Sequence, residues 1–226
     1  MSDASLVIEP VLQLGPLGIT DTVVTTWGIM GLVGLLAWLV SRRLEIDPGP
    51  MQTAAEGMVC AIEEAIVAVS PQHAARIMPF IGGLWIFLAI ANLTGLVPGL
   101  DSPTRDLSAT AALAILVFLS THWFGIRIQG LKGYLRHYLS PSPILLPFHL
   151  IGEVTRTIAL AVRLFGNMMS LEMAALLVLL VAGFLAPVPI LMLHIIEALV
   201  QAYIFGMLAL IYVAGGIQSQ QRNPAE

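Results

Sequence analysis

Residues 153–172 read EVTRTIALAVRLFGNMMSLE, and Arg163 stands inside one of the most apolar regions of the chain. A guanidinium cannot shed its charge, because its pKa lies above about 12. Near the centre of a bilayer it costs at least ~2.5 to 3.5 kcal/mol, so such a residue usually faces a partner or a water-filled cavity. Of the 226 residues, 58% are hydrophobic and 11% charged, whereas soluble domains carry about 25% charged residues. The mean hydropathy is +0.90. The chain therefore reads as an all-α integral membrane protein with about five transmembrane helices plus interfacial amphipathic helices. Its last two spans form a long tilted helical hairpin.

Upstream of that stretch, residues 1–19 hold Pro10 and Pro16 in a polar and apolar mixture and read as a surface lead-in. They lack the basic region and short apolar core of a cleavable signal, so the first residues are expected to stay. Thr20 to Val40 has one charge, Asp21, and as a helix would rise about 31 Å, which matches a hydrocarbon core of ~30 Å. Arg42 and Arg43 follow it as a cytoplasmic flank. Gln52 to Val69 sets Glu56, Glu63 and Glu64 against Val59, Ile62, Ile66 and Val69, an amphipathic pattern for a helix lying on the membrane surface. Those carboxylates read first as a solvated face and second as a proton antenna.

Ile77 to Val97 gives the second span, stopped by Gly95, Pro98 and Gly99. The loop after it holds Asp101, Arg105 and Asp106. Asp106 reads first as the N-cap of the next helix and second as a cation-gathering carboxylate. Leu107 to Ile126 is the third span, followed by a basic loop with Arg127, Lys132 and Arg136 that has enough apolar residues for a short interfacial helix. From Leu145 to Ile217 the apolar run has few obvious breaks apart from Pro187 and Pro189, which split it into the two arms of the hairpin. A helix over 149–184 would extend about 54 Å, so it must tilt, bend or protrude. With the N-terminus outside, Arg42, Arg43, Arg76, Arg127, Lys132, Arg136 and Arg222 fall inside and only Arg105 falls outside, which supports that orientation.

On an ideal helix Arg156, Arg163, Asn167 and Ser170 share a narrow stripe, with Ala159 and Ala174 on the same side. Glu172 lies about 180° away and cannot be a simple local partner of Arg163. The cation is thus expected to look off the subunit, and the carboxylate back towards it. On the last arm His194, Gln201 and Tyr212 share one face, with Glu197 about 60° away. Such a stripe suits an aqueous half-channel or proton relay, since unpaired polar groups in lipid are costly. Interhelical packing bonds are the competing reading, and for Gln201 and Tyr212 alone they suffice. His122, His137 and His149 read as solvated or capping residues, and the four tryptophans as packing or interface anchors.

A net charge of −4 without clustered Lys and Arg argues against nucleic-acid binding. The lone Cys60 rules out an intrachain disulfide and a thiolate zinc cluster. The histidine spacings offer no clear haem pair. No metal and no cofactor are expected.

Several stretches together resemble one family. They are NLTGLVPG from Asn92, PTRDLSAT from Pro103, GLKGYLRHY from Gly130, RLFGNMMSLE from Arg163, and HIIEALVQAYIFGMLALIYV from His194. They are similar to subunit a of the F-type ATP synthase, and a sodium-translocating branch is compatible with them. The resemblance implies a stator beside a rotating c-ring, with peripheral-stalk b subunits and the lipid bilayer as further partners, in a bacterial inner membrane. It implies that Arg163 faces the ion-carrying carboxylate of each passing c subunit. It further implies that Glu172, His194 and Gln201 line an access half-channel for H⁺ or Na⁺, with Asn167 near the arginine. Arg156 and Thr157 stand where many relatives have Lys followed by Pro, and Glu197 is less clearly matched. Asn92, Asp106, Ser170 and Tyr212 complete the candidates. The resemblance implies no catalysis by the chain alone, ATP chemistry belonging to partner subunits. On this reading residues 1–226 are one membrane domain: an external segment 1–19, peripheral helices 20–144, an ion-translocating hairpin 145–217 and a cytoplasmic tail 218–226. A stand-alone secondary transporter and a purely structural anchor are the alternatives; coupled transport by the isolated chain marks the first, and indifference of transport to Glu172→Gln the second.

Overall fold

The computed structural model describes residues 10–14, 17–42, 49–97, 100, 102–139, 146–183, 186 and 188–218. Six α-helices account for nearly all of them: α1 (Asp21–Ser41), α2 (Pro50–Val69), α3 (Ala74–Thr94), α4 (Leu107–Leu139), α5 (Leu146–Ala182) and α6 (Val188–Gln218). Five contain a stretch long and apolar enough to cross a membrane, α2 being the exception. The protein is an all-α integral membrane protein, as its composition predicts. Arg43, Pro98, Gly99, Asp101, Phe184, Pro187 and residues 219–226 lie outside the described residues, as do the side chains of Lys132, Arg136 and His137.

Three local features refine the expectation. The described part of the lead-in pairs as two antiparallel strands, β1 (Pro10–Leu14) and β2 (Leu17–Thr20), in keeping with a sequence too broken by proline for a helix. The basic segment after the third span is helical, continuing α4 to Leu139. What separates it from the span is Gly130, with φ 75° and ψ 155°, a backbone state that excludes side chains and redirects the chain. The α5 helix starts at Leu146 and spans 37 residues, a rise of about 55 Å.

The core lies between α3, α4, α5 and α6. Ile77, Ile81 and Leu88 of α3 meet Leu160 and Leu164 of α5 and Ala202, Phe205, Ala209 and Val213 of α6, with Ala114 and Val117 of α4. Small residues on α6 allow close approach, as expected where lipid offers no hydrophobic drive to pack helices. At Gly206 the approach is extreme, since a Cβ there would sit 2.6 Å from Trp85 Nε1. Trp85 stacks on Tyr203 with ring centroids 5.7 Å apart. The α2 helix lays Ile62, Ala65, Ile66 and Val69 on this core and keeps Glu56, Glu63 and Glu64 exposed, as its amphipathic pattern predicts, except that Val59, expected on the apolar face, is also exposed.

The first span is placed differently. Ile29 alone among its residues is buried. Met30, Val33 and Gly34 of α1 look across an apolar gap of about 710 Å³ at Gly83, Leu84 and Phe87 of α3 and Ala112 and Leu116 of α4.

Candidate functional site

The core-facing stripe of α5 runs Leu160, Leu164 and Met168, all buried, at the four-residue spacing of one helix face. That phasing turns Arg163 outward. It is exposed, with Val162 beside it 55% accessible and Ile158 57% accessible, so a fixed cation stands among exposed apolar side chains. Among the described residues its guanidinium makes no ion pair. Arg156 and Ser170, expected on the same stripe, are also exposed.

Asn167 departs from that stripe. Half-buried, it donates from Nδ2 to Oε1 of Gln201 at 2.8 Å and so ties the two arms of the hairpin together one turn beyond Arg163. Gln201 is 2% exposed, and its Nε2 has no hydrogen-bond partner among the described residues.

Glu172 looks back into the subunit as the phasing predicts. There its Oε1 accepts from Arg105 Nη1 at 3.2 Å. Arg105 ends a 3₁₀ turn, Pro103–Arg105, that leads into α4. In the sequence Arg105 stands out only as the single basic residue expected outside. That same feature held the signal, because a carboxylate in the later half of α5 has just one basic residue expected on its side to reach.

His194 and Gln201 face inward together, and His194 is 4% exposed. A Cβ at Gly95 would lie 3.7 Å from His194 Nε2, so the imidazole edge abuts the end of α3. One helical turn along α6, Asn92 Nδ2 donates to the carbonyl of Ala198 at 3.1 Å, while Asn92 Oδ1 and His194 Nε2 are buried without partners among the described residues. Ser102 Oγ donates to the carbonyl of Ala91 at 2.8 Å and closes this end of the bundle. Asp106 caps α4, its Oδ1 accepting from the Ser108 amide at 2.9 Å, which favours the capping reading over the cation-gathering one. Glu197 is half-buried and makes no ion pair among the described residues.

At the opposite end of the hairpin Arg156 lies over the ring of Tyr212, 5.6 Å from its centroid. Both line a cavity of about 540 Å³ that His122 and Glu153 also border. Nε2 of His122 and Oε2 of Glu153 are 3.3 Å apart. The expectation of a merely solvated or capping His122 is therefore corrected: a carboxylate from α5 claims it, a pairing between helices that helical phasing along one helix cannot reveal. Among the described residues no three His, Cys, Asp or Glu side chains gather as a metal site.

The polar groups thus fall into three sets: one around Arg105, Glu172, Asn92 and His194, a central one of Arg163, Asn167 and Gln201, and one at the opposite end of the hairpin around Glu153, Arg156 and Tyr212. Residues 23–214 match the family described as ATP synthase A chain. Over 220 residues the chain is 66% identical to "ATP synthase subunit a 2" of Pelobacter propionicus, covering 96% of each chain. It is 64% identical over 213 residues to "ATP synthase subunit a 1" of Hahella chejuensis, covering 94% of this chain and 91% of that one. With "ATP synthase subunit a" of Legionella pneumophila strain Philadelphia 1 it shares 53% identity over 222 residues, 98% of this chain and 96% of the relative. The chain belongs to the ATP synthase A chain family.

Proposed function

We propose that the chain is the ion-translocating stator of the membrane sector of an ATP synthase, with Arg163 as the fixed charge opposite a carboxylate carried by a rotating c-ring. The observation that carries this is Arg163 standing among exposed apolar side chains, unpaired among the described residues, in a member of this family. A c-ring carboxylate must be neutral while it faces lipid, and a nearby fixed cation favours its ionised form. Passing Arg163 therefore makes the carboxylate give up its ion, and moving away makes it take one. Rotation and ion transfer become one process, and the same parts run in reverse when ATP is hydrolysed on partner subunits.

Two half-channels complete the scheme. Glu172, His194, Asn92 and Gln201 form the outer access path, with Asn167 holding Gln201 beside the arginine. The inner path opens towards Arg156 and Tyr212. Buried polar atoms without protein partners, at Asn92, His194 and Gln201, support a hydrated outer path, since such groups in native proteins are normally satisfied by water when protein does not reach them. The translocated ion is H⁺ or Na⁺. The hairpin 145–217 is the translocating unit, with b subunits and lipid around the peripheral helices, in a bacterial inner membrane with the N-terminus outside and the C-terminus inside. Arg163→Ala in the assembled complex tests the reading: coupled ion transport and ATP synthesis are expected to be lost, and wild-type coupling in that variant overturns it.

A further inference from the structure

The cavity between α4, the start of α5 and the end of α6 carries a pair of groups that the stator scheme leaves unused. His122 of α4 and Glu153 of α5 meet on its wall at 3.3 Å. The other ring nitrogen of the histidine is already committed, with Nδ1 2.8 Å from the main-chain oxygen of Phe118. A carbonyl oxygen only accepts, so Nδ1 supplies the hydrogen of that bond. The Phe118 ring, 4.3 Å from the imidazole between centroids, packs against it in that orientation. A neutral His122 therefore turns the bare lone pair of Nε2 towards Glu153. Lone pair against carboxylate oxygen is repulsive, and a single proton between the two makes the contact attractive. That proton is carried either by the carboxyl or by Nε2, the two atoms facing each other at 3.3 Å. In both forms the pair is neutral overall, and loss of the proton leaves it at −1.

We propose that His122 and Glu153 form a one-proton station on the wall of an inner vestibule, exchanging its proton with vestibule water, and that the charge of this station governs ion passage between the vestibule and Arg163. The proposal deepens the stator reading and rests on it. Arg156 and Arg163 are separated by about 10 Å of rise along α5, so the vestibule begins two turns from the central cation. The other titratable groups facing the cavity are His149 and Arg156 from α5 and Tyr212 from α6. Arg156, the permanent cation among them, repels an arriving cation, and the deprotonated station offsets it. The proposal holds for either translocated ion: a proton passes through the station itself, and a sodium ion passes a wall whose charge the station sets.

The test uses assembled complex in liposomes, with Cys60→Ser in the chain so that Thr157→Cys, also on the cavity wall, is its only thiol. A membrane-impermeant thiol reagent is expected to modify Thr157→Cys from one face only, and absence of reaction from either face overturns the vestibule. Coupled ion flux is then followed against pH on that face. The wild-type profile is expected to show an inflection that Glu153→Gln and His122→Gln each remove and Glu153→Asp keeps. Flux in Glu153→Gln is expected to fall about a hundredfold, at the low end of what a positioned proton-transfer group contributes. An unchanged profile in both glutamine variants overturns the station. So does an inflection that disappears in His149→Gln but survives in His122→Gln. Should Glu153→Gln fail to assemble, His122→Gln carries the test, since its amide keeps the bond to Phe118 without a titrating ring. Arg163→Ala run alongside separates the two claims: normal flux in Glu153→Gln with an inactive Arg163→Ala sinks the station alone, whereas a coupled Arg163→Ala sinks the stator reading beneath it.

Discussion

Arg105, at the end of the turn before α4, holds Glu172 of α5 at 3.2 Å across 67 residues of chain. The pair is partly solvated, with the arginine side chain 40% exposed and the glutamate 20%. An exposed ion pair of this kind contributes at most about 1 kcal/mol to stability, so its consequence lies in where it points the carboxylate. Arg105→Ala is expected to leave assembly and melting temperature nearly unchanged while lowering coupled transport. The double variant with Glu172→Gln should transport no worse than Glu172→Gln alone. Additive losses, measured as ATP synthesis driven by an imposed ion gradient, would show that the two residues act separately.

The amide bridge from Asn167 to Gln201 gives a stability prediction. Asn167→Ala removes the partner of a side chain that is 2% exposed. Leaving a buried acceptor unsatisfied costs about 1 to 3 kcal/mol. The melting temperature of the purified complex should fall accordingly. Gln201→Leu in the same chain removes the orphaned amide, so the double variant should lose less than the sum of the single losses.

Gly206 gives the sharpest packing test. A methyl group there would stand 2.6 to 2.7 Å from three atoms of the Trp85 ring, which is itself stacked on Tyr203. Gly206→Ala is expected to cost about 1 to 3 kcal/mol through overpacking between α3 and α6. The amount of chain recovered in membranes should drop, and Trp85→Leu, by opening the space, should restore part of it. Equal recovery of Gly206→Ala and wild type would contradict the close approach.

Gly130 tests the bend in α4. At φ 75° and ψ 155° the backbone occupies a region that only glycine enters without strain. Gly130→Ala should therefore destabilise by about 1 to 3 kcal/mol. Asparagine should do no better, because its tolerance is for the left-handed helical region and not for this one. Thermal melting of the two variants beside wild type decides it.

Much of the helical plan is legible in residue order alone, because a bilayer demands about twenty apolar residues per crossing and charges mark where each crossing stops. The expected spans 20–40 and 77–97 fall within a few residues of α1 and α3. Phasing along one helix also correctly turned Arg163 outward and Glu172 inward, since that inference needs only the period of the helix. What phasing could not supply is the identity of a partner on another helix. Arg105 for Glu172 and Glu153 for His122 are both pairings that depend on how helices dock. The bend at Gly130 was missed for a different reason: a glycine among helix formers is compatible with a continued helix, and its φ is decided by where the following segment lies.

The placement of α1 has a consequence for handling the protein. A span with only Ile29 buried, separated from α3 and α4 by an apolar gap of about 710 Å³, is positioned by its surroundings more than by its own chain. Whatever fills that gap after extraction, whether retained lipid or detergent tails, becomes part of the architecture. Two preparations of the same polypeptide in different amphiphiles should therefore agree in α3 to α6 and differ at α1.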